Sequence, residues 1–358
     1  MKAALLGIEH PHSLAHLGTL QALPEIDGIV LWDPSRSALT AARQKQGDKI
    51  IDTTTDLNEI LGRDDLFFAI AALRNDLGPD IFIRLLQGGL HLLAEKPIGR
   101  TAADTLRVMA AAQETGKKLG VCYQNRSGPL IQQARNFVSQ GLLGPLLSVE
   151  VRLLTTQVQF RNPQHWLFDK ERSGGGILSW LGCHYLDMIR YVAQDEIVSV
   201  TAEMATRNDA PISVEDIATV SMRLKSGAVA SLHAGYTLAL SGGGYHNPSG
   251  YDTYFGVNGR LGRMYWGGSG RSNHLEVETT HPDWASAPQR RFDFDLAQSA
   301  AYGGVSGEHF VRAFIGAAQG QGALPAGGAD ALQVARIVDA AYASNDQGQR
   351  IEVEGPAS

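Results

Sequence analysis

The stretch LFFAIAALRNDLGPDIFIRLLQGGLHLLAEKP, residues 66–97, contains the signals of a strand, a helix and a second strand in direct succession. Residues 66–72 are wholly apolar, which is typical of a parallel strand buried on both faces. A helical pattern over 79–88 ends at a glycine pair, and a second apolar run covers 90–94. Because one helix separates the two strands, the stretch predicts a βαβ unit and therefore a parallel sheet.

The same alternation extends in both directions along the first third of the chain. Upstream, apolar strands are predicted at 2–7 and 28–33, and the helix between them has leucines at three-residue steps. Downstream, a helix is predicted over 101–115 and a strand over 119–123. The sequence therefore predicts an α/β fold that begins with a doubly wound, Rossmann-type dinucleotide-binding domain over residues 1–123.

The pattern changes in the remainder of the chain, 124–358, which we expect to form a second α/β domain for substrate binding and oligomerisation. Long alternating runs with little helix between them predict one large, open and mostly antiparallel sheet. These runs are 146–158, 197–205, 214–224, 228–237, 251–258 and 273–279. Helices are predicted at about 129–140, after the glycines at 174–176, and at about 305–318 and 328–344.

Length and composition restrict the classes of function. A chain of 358 residues favours two domains, and a net charge of -6 argues against a nucleic-acid partner, which would need a basic face. Two cysteines, Cys122 and Cys183, cannot build a disulfide framework, and their apolar surroundings predict buried free thiols. Because neither a signal peptide nor a membrane span is recognisable, we expect a cytoplasmic protein with no membrane partner.

The loop after the first strand lies where a Rossmann domain binds pyrophosphate. It reads Gly7-Ile8-Glu9-His10-Pro11-His12, so only the first glycine of the G-x-G-x-x-G pattern is present. The charge of Glu9 has the wrong sign for a phosphate neighbour. Gly7, Ile8, Glu9, His10 and His12 are nevertheless the candidate residues for this part of a cofactor site.

Asp33, at the end of the second strand, is a candidate acceptor for the adenosine ribose hydroxyls, which favours NAD over NADP. The alternative is an aspartate that only caps the following helix. Arg36 keeps NADP open, because it could pair with a 2′-phosphate. His10, His12 and His16 crowd one turn, but no recognised ligand spacing surrounds them, so no metal is predicted.

The run Gly89-Leu90-His91-Leu92-Leu93-Ala94-Glu95-Lys96-Pro97 resembles the A-G-K-H-V-x-x-E-K-P signature of the Gfo/Idh/MocA oxidoreductase family. The family includes glucose–fructose oxidoreductase and inositol dehydrogenase, and the resemblance extends over nearly the whole chain. Further matching elements, in chain order, are Asn75, Gly144-Pro145-Leu146, Gly174-Gly175-Gly176 followed by Gly182, His184 and Asp187, then Val214-Glu215-Asp216, and Ala340-Ala341-Tyr342-Ala343-Ser344. The resemblance implies a Rossmann domain, a second domain with an open sheet, and a homodimer or homotetramer formed on that sheet.

The resemblance also implies the catalytic residues. Lys96 matches the family's catalytic lysine, whose ammonium can polarise the reacting hydroxyl, and the Lys96–Pro97 bond is expected to be cis. His184 is the candidate general acid/base, because histidine titrates near neutrality and Asp187 follows three residues later on nearly the same helix face. A packing role for this histidine is the alternative.

Trp180 is a departure from the family, which usually has an aspartate at this position. An indole cannot accept a proton, but it can stack against a sugar ring. The candidate cofactor residues implied elsewhere in the chain are Asn75, Glu95, Lys96, Pro97 and Gln124. The candidate substrate residues are Lys96, Tyr123, Arg161, Trp166, Trp180 and His184.

The expected function is that of an NAD(P)-dependent dehydrogenase. A hydride would pass between nicotinamide and a carbinol carbon of a sugar, cyclitol or related polyol, while Lys96 and His184 handle the proton. Two alternatives stay open: a hydrolase or lyase that uses NAD transiently on a glycoside, which Trp180 permits, and a non-catalytic sugar or nucleotide sensor of the same fold, which Glu9 favours.

Overall fold

The computed structural model of the chain describes residues 1–45, 48–240, 250–269, 273–295 and 297–355. Its helices, in chain order, are α1 (Ser13–Ala22), α2 (Arg36–Lys45), α3 (Leu57–Leu61), α4 (Gly78–Gln87), α5 (Ala102–Thr115), α6 (Pro129–Ser139), α7 (Lys170–Ser173), α8 (Cys183–Ala193), α9 (Val305–Ala318) and α10 (Gly328–Gln347). Within the part of the chain that the structure describes, no helix combines the length and the apolar character needed to span a membrane.

Six strands form the first sheet: β1 (Lys2–Leu6), β2 (Gly28–Trp32), β3 (Ile50–Thr54), β4 (Leu66–Ala71), β5 (His91–Ala94) and β6 (Leu119–Val121). Nine form the second: β7 (Leu146–Thr156), β8 (Ile197–Ala205), β9 (Ile217–Leu224), β10 (Val229–Leu238), β11 (Tyr251–Gly259), β12 (Gly262–Ser269), β13 (His274–Thr279), β14 (Gln289–Asp293) and β15 (Ile351–Glu352).

The first sheet has the order β3-β2-β1-β4-β5-β6, and all of its strand pairs are parallel. Its two central strands are wholly buried along most of their length, as the apolar runs predict. This is the doubly wound Rossmann order, in which the direction of winding reverses between β1 and β4. The loops after β1, β4 and β5 therefore leave the sheet at the edge where such folds bind their ligand.

The second sheet has the order β14-β13-β12-β11-β7-β10-β9-β8-β15. Its pairs are antiparallel apart from β7 with β10, which run parallel. The alternation read from the sequence is visible as burial: Val149, Val151 and Leu153 of β7 are buried, whereas Glu150 and Arg152 are exposed. The prediction of a large, mostly antiparallel sheet is confirmed.

The structure departs from the predicted domain boundary at 123/124. One compact unit comprises Met1–Ser127 and Leu296–Leu332, and the other comprises Gly128–Asp295 and Gln333–Ser358. The late segment joins the first unit through apolar packing: the rings of Phe314 on α9 and Phe68 on β4 are 5.8 Å apart. Arg126 adds an ion pair to Asp330, 2.8 Å away. No sequence pattern indicates that residues 296–332 pack with the first unit.

Three strands, β3, β12 and β14, were absent from the sequence prediction. Polar side chains dominate two of them, IIDTT in β3 and QRRFD in β14, so neither has the apolar run used to recognise a strand. Four strands of the first sheet, β1, β2, β4 and β6, end one or two residues earlier than predicted, whereas β5 ends at Ala94 as predicted. The sequence also predicts a charged helix from Arg36 to about Gln46. In the structure α2 ends at Lys45, and Gln46 lies outside the described residues.

Candidate active site

The loop after β1 depends on its first glycine. Gly7 has a φ of 84°, and a Cβ atom there would lie 1.9 Å from the backbone oxygen of Ala72, which follows β4. A side chain at residue 7 would therefore meet both a strained backbone and a collision. This explains why the one glycine kept from the phosphate-loop pattern is the first, because the position needs both a positive φ and close passage of the Ala72 backbone.

Asp33 anchors the loop. Its carboxylate accepts hydrogen bonds from the backbone N–H of Glu9 at 3.1 Å and of Ser35 at 2.7 Å. The side chain is buried, and burial raises its pKa, while these N–H donors oppose the rise. Asp33 thus has a structural role in addition to the ribose contact predicted for it. The side chain of Glu9 is exposed, as is that of Arg36 at the start of α2.

Three N–H groups at the end of this loop are bonded to loop residues. The N–H of His10 donates to the oxygen of Gly7 at 3.2 Å, and that of His12 donates to Nδ1 of His10 at 3.2 Å. The N–H of Ser13 donates to the oxygen of His10 at 3.0 Å. In a G-x-G-x-x-G loop, donors of this kind face the pyrophosphate. The hydrogen bonds that His10 accepts hold the loop in its conformation, although two of the three glycines are missing.

Glu95, directly after β5, organises a buried polar cluster. One carboxylate oxygen lies 2.8 Å from Nε2 of His16 and 3.2 Å from Nδ1 of His12. The other accepts a hydrogen bond of 2.9 Å from the backbone N–H of Lys96. All four residues are buried, with 1% of Lys96 exposed. We call His12, His16 and Glu95 the Glu95 cluster. The peptide bond from Lys96 to Pro97 is cis, as predicted.

Burial and pairing set the charge of the cluster. Burial lowers the pKa of His12 to about 4, although the neighbouring Glu95 carboxylate opposes the change. Burial alone would raise the pKa of Glu95, but His12, the hydrogen bonds from both histidines and the Lys96 ammonium hold it well below its usual range. At neutral pH Glu95 is therefore ionised and His12 is neutral. Since Nδ1 of His12 faces a carboxylate oxygen, its proton lies on that nitrogen.

This charge arrangement predicts that the protein loses stability in mild acid. Because the pKa of His12 falls from 6.5 to about 4 on folding, the unfolded chain binds more protons between these values. The contribution of His12 to the unfolding free energy is therefore fully present above pH 6.5. It is lost as the pH approaches 4, by up to about 3 kcal/mol at 1.36 kcal/mol per pKa unit. Below pH 4.5, the lowered pKa of Glu95 acts in the same direction.

Urea unfolding at pH 7 and pH 5 measures the change. His12→Gln should reduce the pH dependence of the unfolding free energy, and the buried His10, whose pKa is also lowered by burial, should account for part of what remains. His309→Gln, at an exposed position of α9, should leave the pH dependence as in the wild type. An equal slope in wild type and His12→Gln would contradict the assignment of a neutral, buried His12.

Cys122 lies next to the Glu95 cluster. Among the described residues, its sulfur, a ring nitrogen of His16 and a Glu95 oxygen form a group of possible metal ligands within 4.8 Å of one another. Burial raises the pKa of the thiol well above its usual value, and the Lys96 ammonium is near enough to affect it. A divalent ion there would need a thiolate and would meet that ammonium. The charges thus favour a hydrogen-bonded cluster, and the absence of a metal stays a prediction.

In the second unit, the triple glycine serves close packing. A Cβ atom on Gly175 would lie 1.9 Å from the hydroxyl of Tyr342, and one on Gly176 would lie 2.0 Å from the oxygen of Glu215. The Glu215 carboxylate accepts hydrogen bonds from the N–H of Gly176 at 2.8 Å and of Leu178 at 3.0 Å, and from the Tyr342 hydroxyl at 2.9 Å. These contacts fix the start of the helical segment that carries Trp180 and His184.

That segment begins with a π-helical turn, Leu178–Gly182, before α8. Trp180 lies within the turn, and 2% of its surface is exposed. The ring of Trp166 meets it edge-on at 5.8 Å and 88°. Such turns shift the phase of the side chains around a helix and are frequent at functional sites. Trp166 is only half-buried and is the more accessible of the two indoles.

The remaining predicted residues of the second unit have identifiable positions. Arg161 donates a hydrogen bond of 2.8 Å to the hydroxyl of Thr155, and its guanidinium lies 5.2 Å from the ring centre of Tyr236. His184 is half-buried on α8, and Asp187 is buried one turn later. The structure thus groups Trp166 with Trp180, and it ties Arg161 to the end of β7.

The predicted residues of the first unit fall into two groups. Gly7, Ile8, Glu9 and Asp33 meet around the first loop, while His10, His12, Glu95 and Lys96 meet at the end of β5. Asn75 is buried on the turn after β4, Tyr123 is buried after β6, and Gln124 begins a short 3₁₀ helix, Gln124–Ser127. Sequence reasoning missed Tyr302, whose hydroxyl lies 3.1 Å from Nδ1 of His12. No local motif marks it.

Comparison with known proteins gives matches over most of the chain. Residues 3–123 match the model described as "Oxidoreductase family, NAD-binding Rossmann fold", and residues 131–265 match the one described as "GFO/IDH/MocA C-terminal domain". A 1,5-anhydro-D-fructose reductase from Ensifer adhaerens is 23% identical over 67% of this chain and 71% of its own length. An inositol 2-dehydrogenase from Rhizobium meliloti (strain 1021) is 24% identical over 81% of both chains.

Solved structures share the fold over the full length. A levoglucosan dehydrogenase in complex with NADH and levoglucosan is 22% identical, covers 99% of this chain and 100% of its own, and superposes with a TM-score of 0.86. This likeness establishes the architecture of the chain. At 22% identity it carries no conclusion about the substrate.

Proposed function

Because the chain belongs to the Gfo/Idh/MocA oxidoreductase family, we propose that it moves a hydride between NAD and a carbinol carbon of a sugar, cyclitol or related polyol, with Lys96 and His184 handling the proton. It is an oxidoreductase with an NAD-binding Rossmann domain. The observation that carries the proposal is the position of Lys96. This buried lysine directly follows β5, and its backbone is bonded to the Glu95 cluster that also contains His12 of the nucleotide loop.

Gly7 and Asp33 are the residues proposed to receive the cofactor. Gly7 allows the loop after β1 to pass close to the Ala72 backbone, and the carboxylate of Asp33 suits the adenosine ribose. A buried carboxylate also disfavours a 2′-phosphate, which supports NAD, while the exposed Arg36 keeps NADP as the alternative. NAD, when bound, supplies the hydride acceptor at nicotinamide C4.

Lys96 and His184 are the residues proposed for the proton. As the carbinol carbon gives up its hydride, the hydroxyl loses a proton, and the Lys96 ammonium stabilises the developing negative charge on oxygen. His184 takes this proton in oxidation and returns it in reduction. Trp166 and Trp180 are proposed to give the substrate pocket an aromatic wall, which suits the C–H face of a sugar ring.

A panel of candidate substrates tests this function. Inositol and levoglucosan with NAD, and 1,5-anhydro-D-fructose with NADH, represent the compounds in the names of the similar proteins. We expect nicotinamide turnover with at least one polyol or polyol-derived ketone of this class, and NADH binding with a dissociation constant below about 1 mM, within the usual range of enzyme affinities.

Each negative result of the panel has a defined meaning. Binding of neither NADH nor NADPH would reject the dehydrogenase. Binding without turnover would favour a sensor, and glycoside cleavage without net nicotinamide turnover would favour the hydrolase or lyase.

The second sheet is the proposed surface of a homodimer or homotetramer. Its exposed face carries Glu150 and Arg152 on β7, Ser221 and Arg223 on β9, and Val229 and His233 on β10. Alternating charges and an exposed apolar side chain suit a self-complementary contact between two copies of one sheet. The cytoplasm is the proposed compartment, because both cysteines are free and buried.

A further inference from the structure

Tyr302 reaches the Glu95 cluster from a distant part of the sequence. It lies in a tight turn in which the N–H of Gly304 donates to the oxygen of Ala301 at 2.8 Å. Gly303 and Gly304 have φ values of 86° and 68°, which favour glycine at both positions. The N–H of Tyr302 donates to the hydroxyl of Thr19 on α1 at 2.8 Å. The turn is therefore attached to the same helix that carries His16.

The tyrosine ring covers both histidines of the cluster. Its centre lies 4.8 Å from that of His12 and 5.0 Å from that of His16, and the second contact is edge-on at 81°. Its hydroxyl is 3.1 Å from Nδ1 of His12, the nitrogen that also faces Glu95. Both histidines are buried, whereas Tyr302 is half-buried. The ring thus lies between the cluster and solvent.

We propose that Tyr302 is a positioning residue of the active centre: its ring keeps water from the Glu95 cluster, and its hydroxyl helps to orient His12, so that Glu95 holds the backbone of Lys96 in place. The proposal rests on the function proposed above for Lys96. Tyr302 contacts no reacting atom and acts only through His12, His16 and Glu95.

The hydrogen bonds around Glu95 depend on the exclusion of water. Hydrogen bonds to a carboxylate are strong in a dry environment, and water weakens them by competing for the same oxygens. If water entered, the bond from the Lys96 N–H to Glu95 would weaken, and the lysine would lose its fixed position. The titratable and charged groups that face His12 are His10, His16, Glu95, Lys96 and Tyr302.

Two variants separate the ring from the hydroxyl. Tyr302→Phe keeps the ring over both histidines and removes one hydrogen bond, so we expect kcat to fall only about threefold to tenfold, the usual effect of one such bond. Tyr302→Ala removes the cover, so we expect kcat to fall further, with a smaller change in the KM for NAD. A third variant, Tyr302→Leu, keeps apolar bulk should the alanine variant fold poorly.

The deciding readout is the titration of His12 followed by NMR of the imidazole, which requires no turnover. In wild type and Tyr302→Phe the pKa should be near 4, and in Tyr302→Ala it should rise towards 6.5 as burial is relieved. An unchanged His12 pKa in Tyr302→Ala, or an unchanged kcat, would overturn the proposal. A raised pKa in that variant, together with a wild type that oxidises no polyol, would support the shielding role and reject the proposed function instead.

Discussion

Replacing Lys96 by alanine is expected to lower kcat/KM for the polyol by about 100-fold to 10,000-fold, the usual contribution of a positioned acid or base. The ammonium is proposed to stabilise negative charge that develops on the substrate oxygen only in the transition state, so the loss should be found in kcat. Steady-state kinetics with NAD and the best substrate of the panel measure the effect.

The design must separate chemistry from folding, because Lys96 is buried beside an ionised Glu95. Lys96→Met keeps much of the side-chain volume without the charge, and it should be as inactive as the alanine variant. Lys118→Ala, which removes an exposed lysine from the same unit, is the matched control and should retain wild-type kinetics. Activity of Lys96→Met within tenfold of the wild type would contradict the role given to this residue.

The second large effect is expected from Glu95→Gln, a change of nearly constant shape. The carboxylate accepts from His16, His12 and the Lys96 N–H at the same time. An amide has one oxygen and one NH₂ group. In Glu95→Gln the NH₂ group would therefore face either the Lys96 N–H or the two histidine nitrogens, which are hydrogen-bond donors. The substitution also removes the negative charge beside the Lys96 ammonium. Breaking a buried charge pair costs about 3–5 kcal/mol, and we expect a loss of unfolding free energy of this order.

Urea unfolding at pH 7 and steady-state kinetics test the Glu95 prediction together. The pKa of His12 should fall further in Glu95→Gln, because the neighbouring carboxylate is one of the groups that raises it. Glu114→Gln, at an exposed site on α5, is the control and should change neither stability nor activity. Wild-type stability in Glu95→Gln would show that the Glu95 cluster does not hold this part of the fold together.

The first sheet could be predicted from the sequence because its signals are local. The strand at 66–71 is recognised by its own apolar run, and the neighbouring helices are recognised by the glycines that end them. Each of these signals depends only on residues close together in the chain. The cis bond at Lys96–Pro97 and the family itself followed from one short motif with correctly ordered companions. The same holds for the alternation along β7, where each residue's position decides which face of the sheet it occupies.

The Glu95 cluster could not be predicted, because its members meet only in three dimensions. His16 and Glu95 are 79 residues apart, and Tyr302 is 290 residues from His12. Sequence reasoning noticed the crowding of histidines after β1 but had no means of identifying the carboxylate between them. The structural role of Asp33 could not be predicted for the same reason, because no sequence pattern indicates that its carboxylate accepts a hydrogen bond from the backbone N–H of Glu9.

The departures in the phosphate loop and at Trp180 have different physical accounts. In the loop, the hydrogen bond from the His12 N–H to the His10 ring supplies local order where the pattern lacks two glycines. At position 180, the indole is buried in a π-helical turn against Trp166, so a packed aromatic pair takes the place of the family's carboxylate. Lys96 itself is buried, and its backbone N–H is bonded to Glu95.

The central claim is that hydride moves directly between a carbinol carbon and nicotinamide, and deuterium tracing tests it most directly. The best polyol of the panel, deuterated at the oxidised carbon, is incubated with NAD and the wild-type protein, and the NADH is examined by mass spectrometry. The account predicts one deuterium in each NADH formed, and loss of the signal in Lys96→Met. NADH without deuterium, or consumption of the polyol with no NADH and no label on the cofactor, would contradict it.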